Sequence, residues 1–485
     1  MAEAIRFLLD GEVREVAGLD PNTTVLEWLR GPAQRMGTKE GCAEGDCGAC
    51  TVIVAERGVD DTLARRTVNA CLAPIATLDG RQLVTVESLR DPGSGALHPA
   101  QAAMVEHHGS QCGFCTPGFV MSLAALHRPG PPPDRETLLR ALAGNLCRCT
   151  GYRPILDAAA AMSERASGPD RFARAASETA ARLSGLVRSR GLAYEGAGRR
   201  WFAPRSLEEL RETLRVHPDA TLLGGASDLG LRITKEHKPF DKLVWLGEVR
   251  ELRGVRETAE RIDIGGVASW AEAHAPLARF WPGLDELIAR FAGLQIRNVA
   301  TVAGNLANAS PIGDGAPALL ALGAELELWR DGATRTVPLD EFSRGYRKTT
   351  LAADEIILRI RLLKPGPSER FAAYKVSKRF DSDISAVCAC FAIDLDADGM
   401  VGGARLAYGG MAATPARARR AEAVLAGRRW ELAAVHAALE ALAQDFNPID
   451  DLRASAAYRM QVARNLLLRF WRDQSVDPAR RLAGD

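Results

Sequence analysis

Eight of the chain's ten cysteines fall within its first 150 residues, in two groups of four. Cys42, Cys47, Cys50 and Cys71 read C-x4-C-x2-C followed by a distant fourth, a spacing that supplies four thiolates to a [2Fe–2S] cluster. Cys112, Cys115, Cys147 and Cys149 read C-x2-C, a long gap, then C-x-C, again four thiolates. Two one-electron centres in series fit a protein that moves electrons between two reactions. Tetrahedral zinc is the alternative for four cysteines, although zinc sites usually pair two short knuckles rather than three cysteines and a distant fourth. For the C-x2-C pair alone the alternative is a redox-active disulfide. A second pair and a second cluster motif in the same segment weigh against it.

The elements around the cysteines fit that chemistry. Gly41, Gly45 and Gly48 interleave the first three, allowing backbone amides to turn toward the sulfurs. The β-branched run Thr51–Val54 reads as a strand leaving the loop, and Cys71 returns from the later segment Val68–Leu72. Pro117 is placed to open a helix after Cys115, and Cys147 and Cys149 lie between a Leu-rich helix from Glu136 to Leu142 and an Ala-rich one from Ile155. Both pairs are therefore expected on turns between helices, with helix N-termini facing an anionic cluster.

At 485 residues the chain has room for about three domains or more. Lys and Arg number 62 against 61 Asp and Glu, so no basic excess points to nucleic acid or an anionic membrane. No apolar run of about 18 residues appears. The N-terminus enters a strand-like pattern without a signal-like segment, and thiolate ligands fit a reducing compartment, simplest as the cytoplasm. Residues 1–90 read as short strands and turns, with a hairpin at Asp10-Gly11 and a helix from Thr24 to Leu29. Residues 91–165 read as helices only and 166–192 as a partly helical linker. An α/β pattern fills 193–370, with a capped helix start at Ser206. Strands at 386–393 and 403–408, then helices, fill 371–485.

The third region carries a nucleotide-binding reading. Leu222, Leu223, Gly224, Gly225, Ala226, Ser227, Asp228 and Leu229 form a strand running into a glycine loop and a helical turn. Its amides can cradle a pyrophosphate, although the G-x-G-x-x-G fingerprint is absent. Thr301, Val302, Ala303, Gly304 and Asn305, continuing to Asp314, read as a second loop of the same character. For either loop alone, an ordinary tight turn is the alternative.

Taken together, the order and spacing of the cysteine groups resemble the iron–sulfur region of the molybdenum hydroxylases. The chain as a whole is similar to the small, cofactor-carrying subunits of bacterial xanthine dehydrogenases. The resemblance implies an α+β multidomain fold. Its parts are a plant-type ferredoxin-like (β-grasp) domain, a four-helix [2Fe–2S] domain, an FAD-binding α+β domain like that of vanillyl-alcohol oxidase, and a C-terminal α+β flavoprotein domain like that of CO dehydrogenase. It implies that the eight cysteines hold two [2Fe–2S] clusters and that the two glycine loops and Asp314 contact FAD. Phe291 matches an aromatic near the isoalloxazine and Lys375 a lysine near the flavin, where core packing and a solvated lysine are the respective alternatives. Ala226 stands where some relatives carry an amide residue, so one side-chain contact is expected to be missing.

The resemblance further implies a separate large subunit carrying molybdopterin and the purine site, in an (αβ)2 heterotetramer, since no molybdopterin domain is read in this chain and no residue in it is assigned to hydroxylation. Electrons would run from molybdenum through both clusters to FAD and NAD+, with Gln111 beside the partner's pterin, an ordinary helix-end glutamine being the alternative. The loop from Lys378 to Asp383 is expected to gate the flavin face used by NAD+, with an ordinary charged surface turn as the alternative. Two alternatives remain: the same architecture serving an aldehyde or other N-heterocycle hydroxylase, and a structural zinc protein with a nucleotide-binding module.

Overall fold

The computed structural model describes residues 3–58, 62–128, 133–164 and 169–475. The boundary expected near residue 165 falls at 165–168, outside the described residues, as does the start of the N-terminal pattern at Met1 and Ala2. The chain divides into two compact units, Met1–Arg250 with Ala292–Ala300, and Glu251–Phe291 with Thr301–Asp485.

The first unit begins with the hairpin of β1 (Ile5–Leu9) and β2 (Glu12–Val16), whose turn residues Asp10 and Gly11 have φ of 55° and 79°. Those values suit a two-residue primed turn. α1 (Val25–Arg30) follows, capped reciprocally by Thr24 and Glu27. With β3 (Thr51–Arg57), β4 (Leu63–Asn69) and β5 (Gln82–Val84) the sheet order is β2-β1-β5-β3-β4. α1 buries Val25, Leu26, Trp28 and Leu29 on this sheet, with Trp28 edge-on to Phe7 at 5.1 Å. Each such side chain contributes roughly 1.5–3 kcal/mol of burial.

Four helices follow, α2 (Pro99–Glu106), α3 (Thr116–Leu126), α4 (Arg135–Leu142) and α5 (Arg153–Glu164). α3 is buried continuously from Gly118 to Ala124 because it packs between β3 and the neighbouring helices α2 and α4. A helix that is apolar all round needs such a site. The linker forms α6 (Arg171–Arg174) and α7 (Ala176–Ser184). Then come β6 (Leu192–Gly196), β7 (Arg199–Ala203), α8 (Leu207–Val216) capped by Ser206, β8 (Thr221–Leu223), α9 (Gly230–Thr234) and β9 (Lys242–Trp245), with sheet order β6-β7-β9-β8. Buried Arg81 joins the two sheets. It pairs with Glu56 at 3.1 Å and Glu248 at 2.5 Å and lies over the Trp245 ring.

In the second unit, β10 (Val255–Glu257) and β11 (Arg261–Gly265) precede α10 (Trp270–Phe280), capped by Ser269 and Glu272, and α11 (Gly283–Ala289). The next helix, α12 (Leu294–Arg297), lies in the segment that belongs to the first unit. Returning to the second unit, α13 (Val302–Ala307) starts from Thr301, whose hydroxyl accepts from Gly304 N. The expected second glycine loop is thus largely a short helix: the Thr301 cap gives the backbone a helical start that the glycine does not break. α14 (Gly315–Ala321), β12 (Glu325–Arg330), β13 (Ala333–Pro338), β14 (Ser343–Gly345), β15 (Lys348–Thr349) and β16 (Ile356–Leu363) follow. The five-stranded sheet runs β10-β11-β16-β12-β13.

β17 (Glu369–Val376), β18 (Val387–Leu395), β19 (Val401–Gly409) and β20 (Ala416–Arg417) form a separate four-stranded sheet. It is covered by α15 (Arg419–Leu425), α16 (Leu432–Asp445) and α17 (Ala456–Ser475) around Phe391, Tyr408 and Phe470. No helix among the described residues is long and apolar enough to cross a membrane.

Candidate cluster and flavin sites

The first cysteine loop lies between α1 and β3, with Cys71 placed just beyond β4. The register pair Thr51↔Asn69 brings Cys50, one residue before Thr51, near Cys71, two residues after Asn69. Gly48 (φ 67°) is required by close approach as well as by its backbone, since a Cβ there would lie 2.2 Å from the Gly144 carbonyl oxygen. The amides of Glu44 and Cys47 each donate to Cys42 Sγ at 3.4 Å. The Cys47 thiol and these amides hold the Cys42 thiol down at about 4, against the opposing effect of burial. Cys42 is within hydrogen-bonding reach of Cys47, and Cys71 of Cys50. Cys50 and Cys71 are buried and the other two half-buried.

The second group sits on the α2–α3 and α4–α5 turns. Its thiols also pair, Cys115 with Cys147 and Cys112 with Cys149. Cys147 Sγ accepts from the amides of Cys149 and Thr150 at 3.4 Å each and from the Thr150 hydroxyl at 3.2 Å. Burial raises the Cys147 thiol, but these donors outweigh it and leave the thiol below its ordinary value. Cys112 and Cys149 are exposed, with Phe114 and Tyr152 exposed beside them, and Gln111 is on the surface too. Leu146 N donates to Cys47 O at 3.0 Å, joining the two ligand loops. Thiols arranged as two pairs fit two irons with two thiolates each.

In the first unit, β8 delivers Leu222 and Leu223 to the turn of Gly224, Gly225, Ala226, Ser227, Asp228 and Leu229, and α9 follows. Gly225 is dictated by packing: a Cβ there would meet the Val299 carbonyl oxygen at 1.7 Å. Ala226 is left-handed, with φ of 63°, a conformation that costs a non-glycine residue about 1–2 kcal/mol. The backbone N–H groups of Ala226 and Ser227 form no hydrogen bond among the described residues. Free, turned amides of this kind fit a pyrophosphate.

In the second unit, Lys375 Nζ donates to Asp314 Oδ2 at 2.5 Å and the Ser385 hydroxyl donates to Asp314 Oδ1 at 2.5 Å. Both side chains of the ion pair are nearly fully buried, at 2% and 6% exposure, so Lys375 is not a solvated lysine. Phe291 packs against Trp270 at 5.2 Å, and the two line one cavity with Asp314 and Gly315. Asn305 Oδ1 is buried without a hydrogen-bond partner among the described residues. The orphaned acceptor on α13 fits a polar ligand such as FAD, whereas the cavity lined by Phe291 and Trp270 is too small as it stands to hold a flavin ring. Val302 and Ala303 are buried in α13.

The loop Lys378–Asp383 is tied down. Asp383 accepts from the amides of Arg379 at 2.8 Å and Ile384 at 3.0 Å, which hold its carboxyl below the ordinary range despite burial. Arg290 donates to Phe380 O at 2.8 Å, to Lys375 O at 3.1 Å and to Ser377 Oγ at 3.3 Å, and stacks on the Phe380 ring. Sequence reasoning missed Arg290, Ser385 and Gln295. Arg290 adjoins Phe291 in sequence and was within reach; nothing local marks the other two.

Family models for a 2Fe-2S iron-sulfur cluster binding domain and a [2Fe-2S] binding domain match residues 7–76 and 85–160. An FAD binding domain in molybdopterin dehydrogenase matches 194–364 and a CO dehydrogenase flavoprotein C-terminal domain 372–474. The chain is 35% identical over 530 aligned positions to the xanthine dehydrogenase of Emericella nidulans, covering 97% of this chain and 38% of that protein. It is 34% identical over 434 positions to the xanthine dehydrogenase/oxidase of Rattus norvegicus, covering 80% and 32%. It therefore spans well under half the length of these relatives. Among solved structures it is similar to a chain of the carbon monoxide dehydrogenase of Hydrogenophaga pseudoflava, at 28% identity and TM-score 0.52 over 56% of this chain and 94% of that one. It is likewise similar to a chain of quinoline 2-oxidoreductase from Pseudomonas putida 86, at 25% identity and TM-score 0.51, with the same coverage. The cofactors are thus two [2Fe–2S] clusters and FAD, and the zinc alternative gives way.

Proposed function

Because the chain belongs to the iron–sulfur and FAD-carrying part of the molybdenum hydroxylase family, we propose that it relays electrons between a molybdopterin-bearing large subunit and NAD+, as the small subunit of a cytoplasmic xanthine dehydrogenase. The reaction read for the complex is hypoxanthine to xanthine to urate, each step taking its oxygen from water and giving NADH. When bound, the two clusters pass electrons singly and FAD exchanges them with nicotinamide in pairs. The observation that carries the reading is the presence, on one chain and in order, of two paired four-thiol sites followed by the matched FAD domain.

The residues divide the work. Cys112, Cys115, Cys147 and Cys149 hold the cluster nearest solvent, with Gln111 positioned toward the pterin of the large subunit. Cys42, Cys47, Cys50 and Cys71 hold the inner one. Leu222–Leu229 in the first unit, and Thr301–Asn305 and Asp314 in the second, are each read as contacts to FAD. Phe291 and Lys375 flank its ring system, where a cation stabilises reduced, anionic flavin. The Lys378–Asp383 loop, held by Arg290, shapes the nicotinamide side. The expected assembly is an (αβ)2 heterotetramer.

The test is the purified full chain, loaded with iron and flavin. It should oxidise NADH with an artificial dye but not hydroxylate purines, and addition of the molybdenum subunit should create purine-dependent NAD+ reduction. A loaded chain inert toward NADH would overturn the exit to nicotinamide. The likeness to quinoline 2-oxidoreductase favours one second reading, service to an N-heterocycle or aldehyde hydroxylase. Assaying the complex with hypoxanthine, xanthine, quinoline and aldehydes separates the two.

A further inference from the structure

One amide side chain ties together residues from three of the four matched family segments, all within the first unit. Gln295, on α12, is 1% exposed. Its Nε2 donates to Asn145 Oδ1 at 3.0 Å and Thr51 Oγ1 at 3.1 Å, with Ser122 Oγ at 3.3 Å. Thr51 immediately follows ligand Cys50, and Asn145 stands two residues before Cys147. The proton positions follow from the partners. Ser122 gives its hydroxyl hydrogen to Asn145 Oδ1 at 2.6 Å, and Thr51 gives its own to Gly48 O at 2.6 Å. Asn145 Oδ1 and Thr51 Oγ1 therefore face Gln295 as acceptors, and its –NH2 group adds a second donor to each, beside Ser122 Oγ on the first and Asn145 Nδ2 at 3.3 Å on the second. A carboxylate there would oppose Asn145 Oδ1, and an apolar side chain would take from each acceptor one of its two donors, a loss in a buried site.

The backbone around this knot is built for contact. Asn145 Nδ2 also reaches Gly48 O at 3.1 Å, inside the first cysteine loop. A Cβ on Gly144 would lie 2.1 Å from Gln295 Oε1, and one on Gly293 would lie 2.6 Å from the Gly144 Cα. The α12 segment, the turn before Cys147 and the loop between Cys47 and Cys50 are thus packed at a single point. The backbone bond between the two ligand loops, Leu146 N to Cys47 O at 3.0 Å, lies alongside.

We propose that Gln295 is a positioning residue that fixes the separation of the two cluster-binding loops, so that a segment within the flavin-domain match sets the electronic contact between the clusters. This rests on the electron-relay reading above. Gln295→Leu fills the same space without the two donated hydrogen bonds. The test uses the full iron- and flavin-loaded chain. Low-temperature electron paramagnetic resonance of the fully reduced protein reads the magnetic interaction between the clusters, and flash photoreduction reads their electron equilibration.

In Gln295→Leu both cluster signals and the flavin content should persist, the interaction splitting should shrink, and equilibration should slow several-fold. Thr51→Val, which removes one acceptor, should shift both readouts the same way, whereas Thr51→Ser, which keeps the hydroxyl, should restore them. A folded Gln295→Leu with unchanged splitting and rate would overturn the proposal, as would Thr51→Val indistinguishable from Thr51→Ser should the first variant not fold. Absence of paired [2Fe–2S] signals in the unmodified chain would instead defeat the electron-relay reading.

Discussion

The two cysteine regions offer the same donors by opposite structural means. In the first, three ligands lie within nine residues of one loop, and strand pairing of β3 with β4 adds the fourth; Cys50 and Cys71 end up buried. In the second, each pair occupies its own interhelical turn, and only the packing of α2 to α5 brings the turns together, leaving Cys112 and Cys149 exposed. The first site is thus shaped mainly by local backbone, the second by tertiary structure. Their electrostatics differ in the same sense. Cys42 takes its backbone donors from amides inside its own loop, whereas Cys147 adds the Thr150 hydroxyl. On the proposed electron path the more exposed, outer site would face a partner's redox centre, while the inner site, with two buried ligands, would exchange electrons within the chain.

If the sites are built independently, the largest effect comes from removing one ligand. Cys47→Ser should abolish the inner cluster's signal and leave the outer one. The serine keeps the backbone carbonyl that accepts from Leu146 N, so the neighbouring loop keeps its support. Iron analysis and electron paramagnetic resonance of the reduced variant check this. Loss of both signals in a folded protein would break the comparison, since it would make the inner cluster a structural requirement of the outer.

A smaller effect follows from exposure. A chelator or oxidant attacks a cluster through its accessible thiolates, so the outer cluster of the isolated chain should bleach several-fold faster than the inner. Time-resolved loss of each resonance signal measures both rates in one sample. Equal rates would mean that burial of Cys50 and Cys71 does not protect the inner site, and that exposure carries no information about direction.

The contrast between loop-built and packing-built sites also explains what was legible in the sequence. Spacing exposed all eight cysteines, and the hairpin at Asp10-Gly11, the Thr24 and Ser206 caps and the helix after Pro117 followed from local rules that the fold obeys. The stretch after Thr301 reads as a loop by its glycine, but the Thr301 cap starts a short helix there, which the spacing alone does not mark. Gly225 was assigned to phosphate approach, yet its missing side chain is first required by Val299, 74 positions away in sequence. Gln295, Ser385 and the burial of Lys375 were invisible for the same reason. Their partners, Thr51, Asn145 and Asp314, are distant in sequence and meet them only after folding. A polar residue whose partners are non-local leaves no periodicity or motif to read.

The finest discrimination between the two sites lies in hydrogen bonding to sulfur. Thr150 Oγ1 donates to Cys147 Sγ at 3.2 Å, and a donor to a thiolate favours the more negative, reduced cluster. Thr150→Val removes that donor while keeping the branched shape, so the amides of Cys149 and Thr150 should remain in place. One such bond is worth about 1 kcal/mol or less in net terms. For a one-electron couple that is a downward shift of a few tens of millivolts at most, confined to the outer cluster. Redox titration followed by resonance spectroscopy resolves the two couples. Equal shifts in both would mean that the Leu146–Cys47 contact transmits the change from one loop to the other. An unshifted outer cluster would mean that the hydroxyl does not engage the sulfur when the cluster is bound, leaving the backbone amides as the donors that tune it.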